Sequence, residues 1–421
     1  MTSAATDRTQ RRVLGTLVTT QILGGVGLSA GVAVGALLAE DVSGSAKWAG
    51  LGGTAQVLGT ALLTIPMTRL IAARGRRPGL TFGYAAAALG GLGLILAGVV
   101  RSFPLLLVAS VLFGGATASN AQARYAAVDL APATRRARQL SLVVWVTTIG
   151  SVLGPNLTGA SGPVARALGV PLLTGPYVFS VVGLTLAGIT MAVRLRPDPL
   201  LEARRRAAQE STDTIDRPHL SLWHGLRVVL SRRPTAVALL TLSFGHAVMV
   251  SVMVMTPLHM RHGHAELKII GFVISLHILG MYALSPLTGW AVDRWGSRAV
   301  ALTGALVLST ATLLASASPI GASGILVLAL FLLGVGWSGT FVSGSSALVA
   351  TLPLADRASG QGAADLVMSL TAAGAGVLAG PIVQVAGFPV LSLIALAFAV
   401  IIGLAAAVVP WSAGAPTEPS P

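Results

Sequence analysis

The sequence predicts an all-α integral membrane fold: twelve transmembrane helices arranged as two six-helix repeats. Three observations predict it. Of 421 residues, 54% are hydrophobic and only 10% charged, against about 25% charged in soluble globular domains, which excludes an ordinary soluble enzyme. The apolar residues fall in twelve long runs bounded by charge, Pro or Gly, and at about 20 residues per crossing twelve spans use roughly 240 residues. Short motifs also recur 221 positions apart, at Gly75 and Gly296 and again at Pro132 and Pro353.

The first run, 13–39, follows Arg8, Arg11 and Arg12. At about 26 residues it is too long for a signal-peptide core of about 7–15, so it is read as a retained helix. Its Gly27, Gly31 and Gly35 repeat every four residues, a stripe for close helix packing in lipid. Runs 47–70, 79–101, 103–127, 138–162 and 173–195 complete a first half of six spans at 1–195. The stretch 196–233 is rich in charge, with Arg204, Arg205 and Arg206 in a row, and is read as a basic cytoplasmic linker. Runs 234–258, 266–291, 298–319, 322–351, 360–386 and 388–411 form the second half, 234–421. Trp48 and Trp411 suit the aromatic belts of a bilayer.

The net charge of +14 would suit nucleic acid only if basic residues gathered on one soluble face. Here they punctuate apolar runs, so no nucleic-acid partner is expected. With the N-terminus inside, the inner segments hold Arg8 to Arg12, Arg69 to Arg77, Arg135 to Arg138, Arg194 to Arg233, Arg294, Arg298 and Arg357. The outer side keeps Lys47, Arg101, Arg166, Arg261 and Lys268. That is the positive-inside bias; it places the chain in the cytoplasmic membrane with both termini cytoplasmic. There is no Cys, which removes disulfides, thiolate metal sites and thiol redox chemistry, and no catalytic motif is present.

Gly289-x3-Asp293-Arg294-x-Gly296-x-Arg298 joins spans eight and nine, and a degraded copy ending Arg74-Gly75-Arg76-Arg77 joins spans two and three, with Ala72 where the acid should be. Gly150-x3-Gly154-Pro155 and Gly376-x3-Gly380-Pro381 echo one another in spans five and eleven. On these motifs, and across essentially its whole length, the chain resembles the major facilitator superfamily, whose halves are parallel repeats. The resemblance implies that Gly289, Asp293, Arg294, Gly296 and Arg298 form a cytoplasmic gate rather than a ligand site. The Gly-x3-Gly-Pro elements resemble part of a motif of drug/proton antiporters.

The chain has seven His and nine Met, and the window 246–281 holds five of each. His246, Met249 and Met253 fall on one face of span seven, while His277 and Met281 are i,i+4 on span eight. Thioether is a soft neutral ligand suited to Cu(I), and no carboxylate lies mid-membrane in these spans. Met249-x3-Met253 followed by His277-x3-Met281 resembles the paired motifs of the CcoA-like copper transporters, a bacterial branch of the superfamily. That resemblance implies that these four side chains bind copper and that transport is inward; His246 is added from spacing.

His259, Met260, His262 and His264 in the next outer loop are read as a collector above a graded ladder of ligands. Arg124, Asp129 and Asp365 are weighed as a proton relay, with ion pairing between helices the simpler reading. The expectation is a monomeric copper importer working by alternating access. It has no cofactor; its partners are the ion, the bilayer and cytoplasmic copper-binding proteins. A proton-coupled exporter of drugs or other small organic solutes is the alternative.

Overall fold

The computed structural model describes residues 3–45, 48, 51–210, 221–264, 267–321, 323–409 and 411, with side chains described except at 3–7, 151, 155, 158, 159, 210, 261, 262, 267, 268 and 271. Among the described residues there is no strand. The first span is two pieces, α1 (Ser3–Val32) and α2 (Gly35–Ser43). Then come α3 (Leu51–Arg74), α4 (Arg76–Val100), α5 (Phe103–Ala126), α6 (Arg136–Leu168) and α7 (Gly175–Arg194). The charged stretch carries two further helices, α8 (Pro199–Glu210) and α9 (Leu222–Ser231). The second half contains α10 (Arg233–His262), α11 (Leu267–Tyr282), α12 (Ser285–Ser316), α13 (Gly324–Thr351) and α14 (Arg357–Val408).

Ten helical stretches are long and apolar enough to cross a membrane. Two of them turn back midway, at Gly296 (φ 84°, ψ 159°) in α12 and at Gly387 (φ 84°, ψ 167°) in α14, which resolves twelve spans. Gly75, between α3 and α4, has φ 95° and ψ 177°. The repeat read from the sequence is therefore also a repeat of backbone shape. Positive φ with extended ψ is a conformation only glycine adopts without strain, and it reverses the chain between two helices that have no room for a longer loop.

The chain forms two compact units: Met1–Ala131 with Val143–Leu222, and Pro132–Leu142 with Trp223–Pro421. In the first, α1 packs on α7 and α5 packs on both α3 and α4. The glycine stripe of the first span serves this contact: a Cβ at Gly27 would meet Ser180 and Leu184, and one at Gly31 would meet Tyr177 and Ser180. In the second, α10 packs on α14 and α13, α11 on α13, and α12 on α13 and α14. Large apolar side chains such as Leu89, Leu92, Val108, Leu306 and Val377 remain exposed on these helices, as surfaces bathed in hydrocarbon require.

Four differences from the sequence reading stand out. The first span breaks at Ala33–Val34, and the eighth breaks between α11 and α12 at Ala283–Leu284. Helix α10 runs through Pro257 to His262, past its expected end at 258; proline is tolerated in a membrane helix because neighbours re-satisfy the freed carbonyl. The stretch 196–233 is not a plain tether, since it carries α8 and α9 and both dock. α8 belongs to the first unit, where Arg204 donates to Ala72 O at 2.9 Å. α9 belongs to the second, where His224 Nε2 lies 3.0 Å from Asp356.

Candidate functional site

Helix α13 sets the heights of the metal candidates in the second unit. It runs antiparallel to α10: Trp337 bonds His246, Gly245 abuts Thr340 and Gly344 abuts Leu242. It runs parallel to α11, where a Cβ on Gly334 would strike His277 O and Met281 N. Met249 is three residues outward of His246, and Gly334 is three residues outward of Trp337. At 1.5 Å per residue both steps are about 4.5 Å, so Met249 stands at the height of the Gly334 crossing, between His277 and Met281, which are themselves about 6 Å apart along α11, and Met253 stands one turn further out. Both α10 and α11 pack on α13. The crossing of α11 over α13 is tight because Gly280 and Gly334 bring the two backbones together.

The two histidines are in opposite states. His277 is 1% exposed, and its Nδ1 lies 2.8 Å from Leu330 O. A carbonyl can only accept, so Nδ1 carries the proton and Nε2 holds the lone pair. That Nε2 is buried with no partner. An imidazole pinned through one nitrogen to a backbone carbonyl, with the other nitrogen bare, is the arrangement of metal-ligating histidines. Met249 and Met281 are 8% and 6% exposed.

His246 is different. Its Nδ1 accepts the indole N–H of Trp337 at 2.9 Å, so its Nε2 carries the proton and offers no lone pair. This corrects its expected place among the ligands: its acceptor nitrogen is engaged by an indole. Trp337 also stacks on Phe341 at 4.6 Å and meets Tyr282 edge-on at 5.6 Å. The result is an aromatic cluster across α10, α11 and α13 that sequence reading missed; the Trp337 and Phe341 i,i+4 pair in a Gly- and Ser-rich span was its only signal.

The outer collector is not assembled as expected. Met260 is 0% exposed in the core beside Val252 and Ile270. His259 stacks on Phe388 at 4.3 Å, with Nε2 3.2 Å from Pro319 O. Both are carried into the helix by the extension of α10 beyond Pro257. His264 is exposed, with φ 58°; the side chain of His262 lies outside the described residues. Among the described residues no three His, Asp or Glu side chains cluster as a metal site.

The residues expected to form a gate include a stripe on α12 that faces the first turns of α6. Ser285 donates to Ser141 O at 3.1 Å, and Gly289 leaves room for Ser141 and Ala137 O. Asp293 accepts from the N–H groups of Ala137 and Arg138, each at 3.0 Å. These are orphan donors of a helix start, and a carboxylate there is favoured by both hydrogen bonding and the helix dipole. Arg298 turns the other way and donates to Ala406 O and Ala407 O at the end of α14. Arg294 is exposed.

The first unit answers the missing acid at position 72 differently. Arg76 is fully buried, donating through Nε to Asp129 at 2.8 Å and through Nη1 to Gln122 at 3.1 Å. Asp198, from the start of α8, accepts the Arg77 N–H at 2.7 Å and packs against Gly75. Both oxygens of Asp129 are thus taken by Arg76, while Arg124 bonds Ala121 O and the Tyr125 hydroxyl. Asp129 therefore serves an ion pair and not the relay weighed with Arg124. Asp365, the third member, is buried in the second unit at 4% exposure.

A family model described as Major Facilitator Superfamily matches residues 16–267 and 260–421. The chain is 38% identical over 405 residues to the uncharacterized MFS-type transporter YdeG of Bacillus subtilis, covering 96% of this chain and 92% of that protein. It is 26% identical over 404 residues to the riboflavin transporter RfnT of Brucella anthropi, covering 92% and 96%. Among solved structures, that of the human organic anion transporter MFSD10 superposes with a TM-score of 0.71 at 16% identity, covering 94% of this chain and 99% of that one.

Proposed function

We propose, from the premise that the chain belongs to the Major Facilitator Superfamily, that this multi-pass membrane protein is a secondary transporter importing copper as Cu(I). The cargo is held by Met249, Met253, His277 and Met281, as in the CcoA-like branch that the sequence resembles. One observation carries the reading: the bare, buried Nε2 of His277, with the buried Met281 one turn along the same helix. Leaving such an acceptor unsatisfied costs about 1–3 kcal/mol, and a soft cation satisfies it without a counter-acid. Thioether and imidazole are neutral, so the set favours a monovalent soft ion over Mg, Ca or Mn, which take oxygen ligands.

In this mechanism the ion enters from the outer side and leaves toward the cytoplasm by alternating access. Asp293 acts as a latch whose release from the α6 start accompanies inward opening. Both termini are cytoplasmic in this reading, and cytoplasmic copper-binding proteins receive the ion.

A second reading is transport of a small organic solute. The cluster of Trp337, Phe341 and Tyr282 favours it, since a planar ring stacks on such faces, and the relative RfnT is named for riboflavin. Radioactive copper and riboflavin uptake by cells expressing wild type, Met249→Ala, His277→Ala and Trp337→Ala separate the two. The copper reading expects copper accumulation to fall to background in the first two variants. Unchanged copper uptake with riboflavin uptake lost in Trp337→Ala overturns it.

A further inference from the structure

We infer an anion-binding site in the first unit, at the break in the first span, for a small monovalent anion such as a halide or a short carboxylate. The span stops at Val32 and restarts as α2 at Gly35. The first hydrogen bond of α2 runs from Leu38 N–H to Val34 O, so the N–H groups of Gly35, Ala36 and Leu37 have no partner within the helix. This helix start opens on a cavity of about 170 Å³ whose lining includes Gly35, Ala36, Gln56, Ser110 and Tyr177.

The cavity walls supply the second observation. Tyr177 is 3% and Ser110 5% exposed, both line the cavity, and neither hydroxyl makes a hydrogen bond among the described residues. The Tyr177 oxygen stands 3.5 Å from where a Cβ on Gly35 would be, beside the helix start. Gly52 leaves space next to Ser110 in the same way.

The hydroxyls of two buried side chains, a carboxamide and a run of N–H groups that the helix does not use can all donate into one space. The remaining walls are apolar, Leu94, Leu106 and Phe113 among them. Among the described residues no carboxylate lines the cavity; Glu40 and Asp41 sit toward the opposite end of α2, where Asp41 pairs with Arg101. A pocket with this many available donors at a positive helix end takes an anion. A cation would meet no negative charge there, and an apolar guest would leave the hydroxyls unsatisfied. The volume excludes a large organic anion but admits chloride, formate or acetate with a water or two, at about 30 Å³ per water. The occupant would tie α2 to α3, α5 and α7 at the point where the first span is discontinuous. The site stands apart from the copper reading and does not depend on it.

The test uses the purified full-length protein in detergent at fixed pH and ionic strength, with chloride, bromide or acetate replacing bulky gluconate. The expected result is a saturable rise in melting temperature with one or more of the small ions. Comparing the three ions tells halide from carboxylate. In Tyr177→Phe with Ser110→Ala, whose melting point in gluconate should match wild type, the midpoint concentration should rise at least about tenfold per donor removed. If that variant does not fold, Gln56→Leu replaces it with the same expectation. A shift that never saturates, or that is equal in wild type and variant, is a general salt effect and overturns the site, as does no shift at all. Copper uptake is not read in this experiment, so its outcome leaves the transport reading untouched.

Discussion

Replacing Asp129 by Asn should be among the most damaging conservative changes in the first unit. Both side chains of the Arg76–Asp129 pair are 0% exposed. The guanidinium reaches the two carboxylate oxygens at 2.8 and 3.3 Å and Gln122 at 3.1 Å. Asn removes the charge while keeping nearly the same volume, so the loss is electrostatic. An uncompensated buried charge costs about 3–5 kcal/mol, and because the amide oxygen still accepts one bond the lower end applies, about 3 kcal/mol. In a domain of about 150–250 residues each kcal/mol moves the melting point by about 2–4 °C, giving a drop of about 6–12 °C. Differential scanning fluorimetry in detergent at one fixed heating rate reads this, because large proteins often unfold irreversibly and Tm then depends on scan rate. The double variant Arg76→Met with Asp129→Leu should recover most of the loss, since replacing a buried pair by apolar residues is often neutral or better. A fall of less than 2 °C in the single variant, or a double variant showing only the sum of its two singles, would refute the pair as a coupled unit.

Two further substitutions probe the second unit. Asp293→Ala removes the carboxylate from the start of α6 and should cost about 1–2 kcal/mol, as lost caps do. Hydrogen exchange should quicken at Ala137 and Arg138, and unchanged protection there would mean that the cap is not formed in solution. Gly334→Ala drives a methyl into the backbone of His277 and should cost about 1–3 kcal/mol, the range for overpacking. Gly380→Ala, where a Cβ meets nothing within 4 Å, is the matched control; equal melting points for the two variants would refute the tight crossing of α11 over α13.

The spans were legible because hydrophobic length is a local property: twelve runs predicted twelve crossings, and the 221-residue echo predicted the matching turns at Gly75 and Gly296. The breaks were less so. Nothing local marks Ala33–Val34 beyond Gly35, and Ser285–Pro286 marks the second break only once α12 is known to begin there. Pro257 misled in the opposite sense, by suggesting an end where the helix continues. The site divided along the same line. Spacing brought His246, Met249 and Met253 to one face, but which nitrogen of a histidine is bare depends on Trp337 and Leu330, more than fifty residues away in sequence.

The missing acid at position 72 shows why the two repeats cannot be treated as copies. In the second half the motif acid is used outward, toward the donors at the start of another helix. The first half has no such acid, yet its arginines and its glycine turn remain, and a buried guanidinium must be paired. Two acids from elsewhere divide the work: Asp129, 53 residues on, neutralises Arg76, and Asp198, 121 residues on, receives the turn's N–H. Both bind the first unit's turn to itself, through the end of span four and the start of α8. The corresponding turns therefore carry a helix cap made by the motif acid in one half and a buried ion pair made by a distant acid in the other. It follows that substitutions at Asp293 should alter opening more than stability, and substitutions at Asp129 stability more than opening.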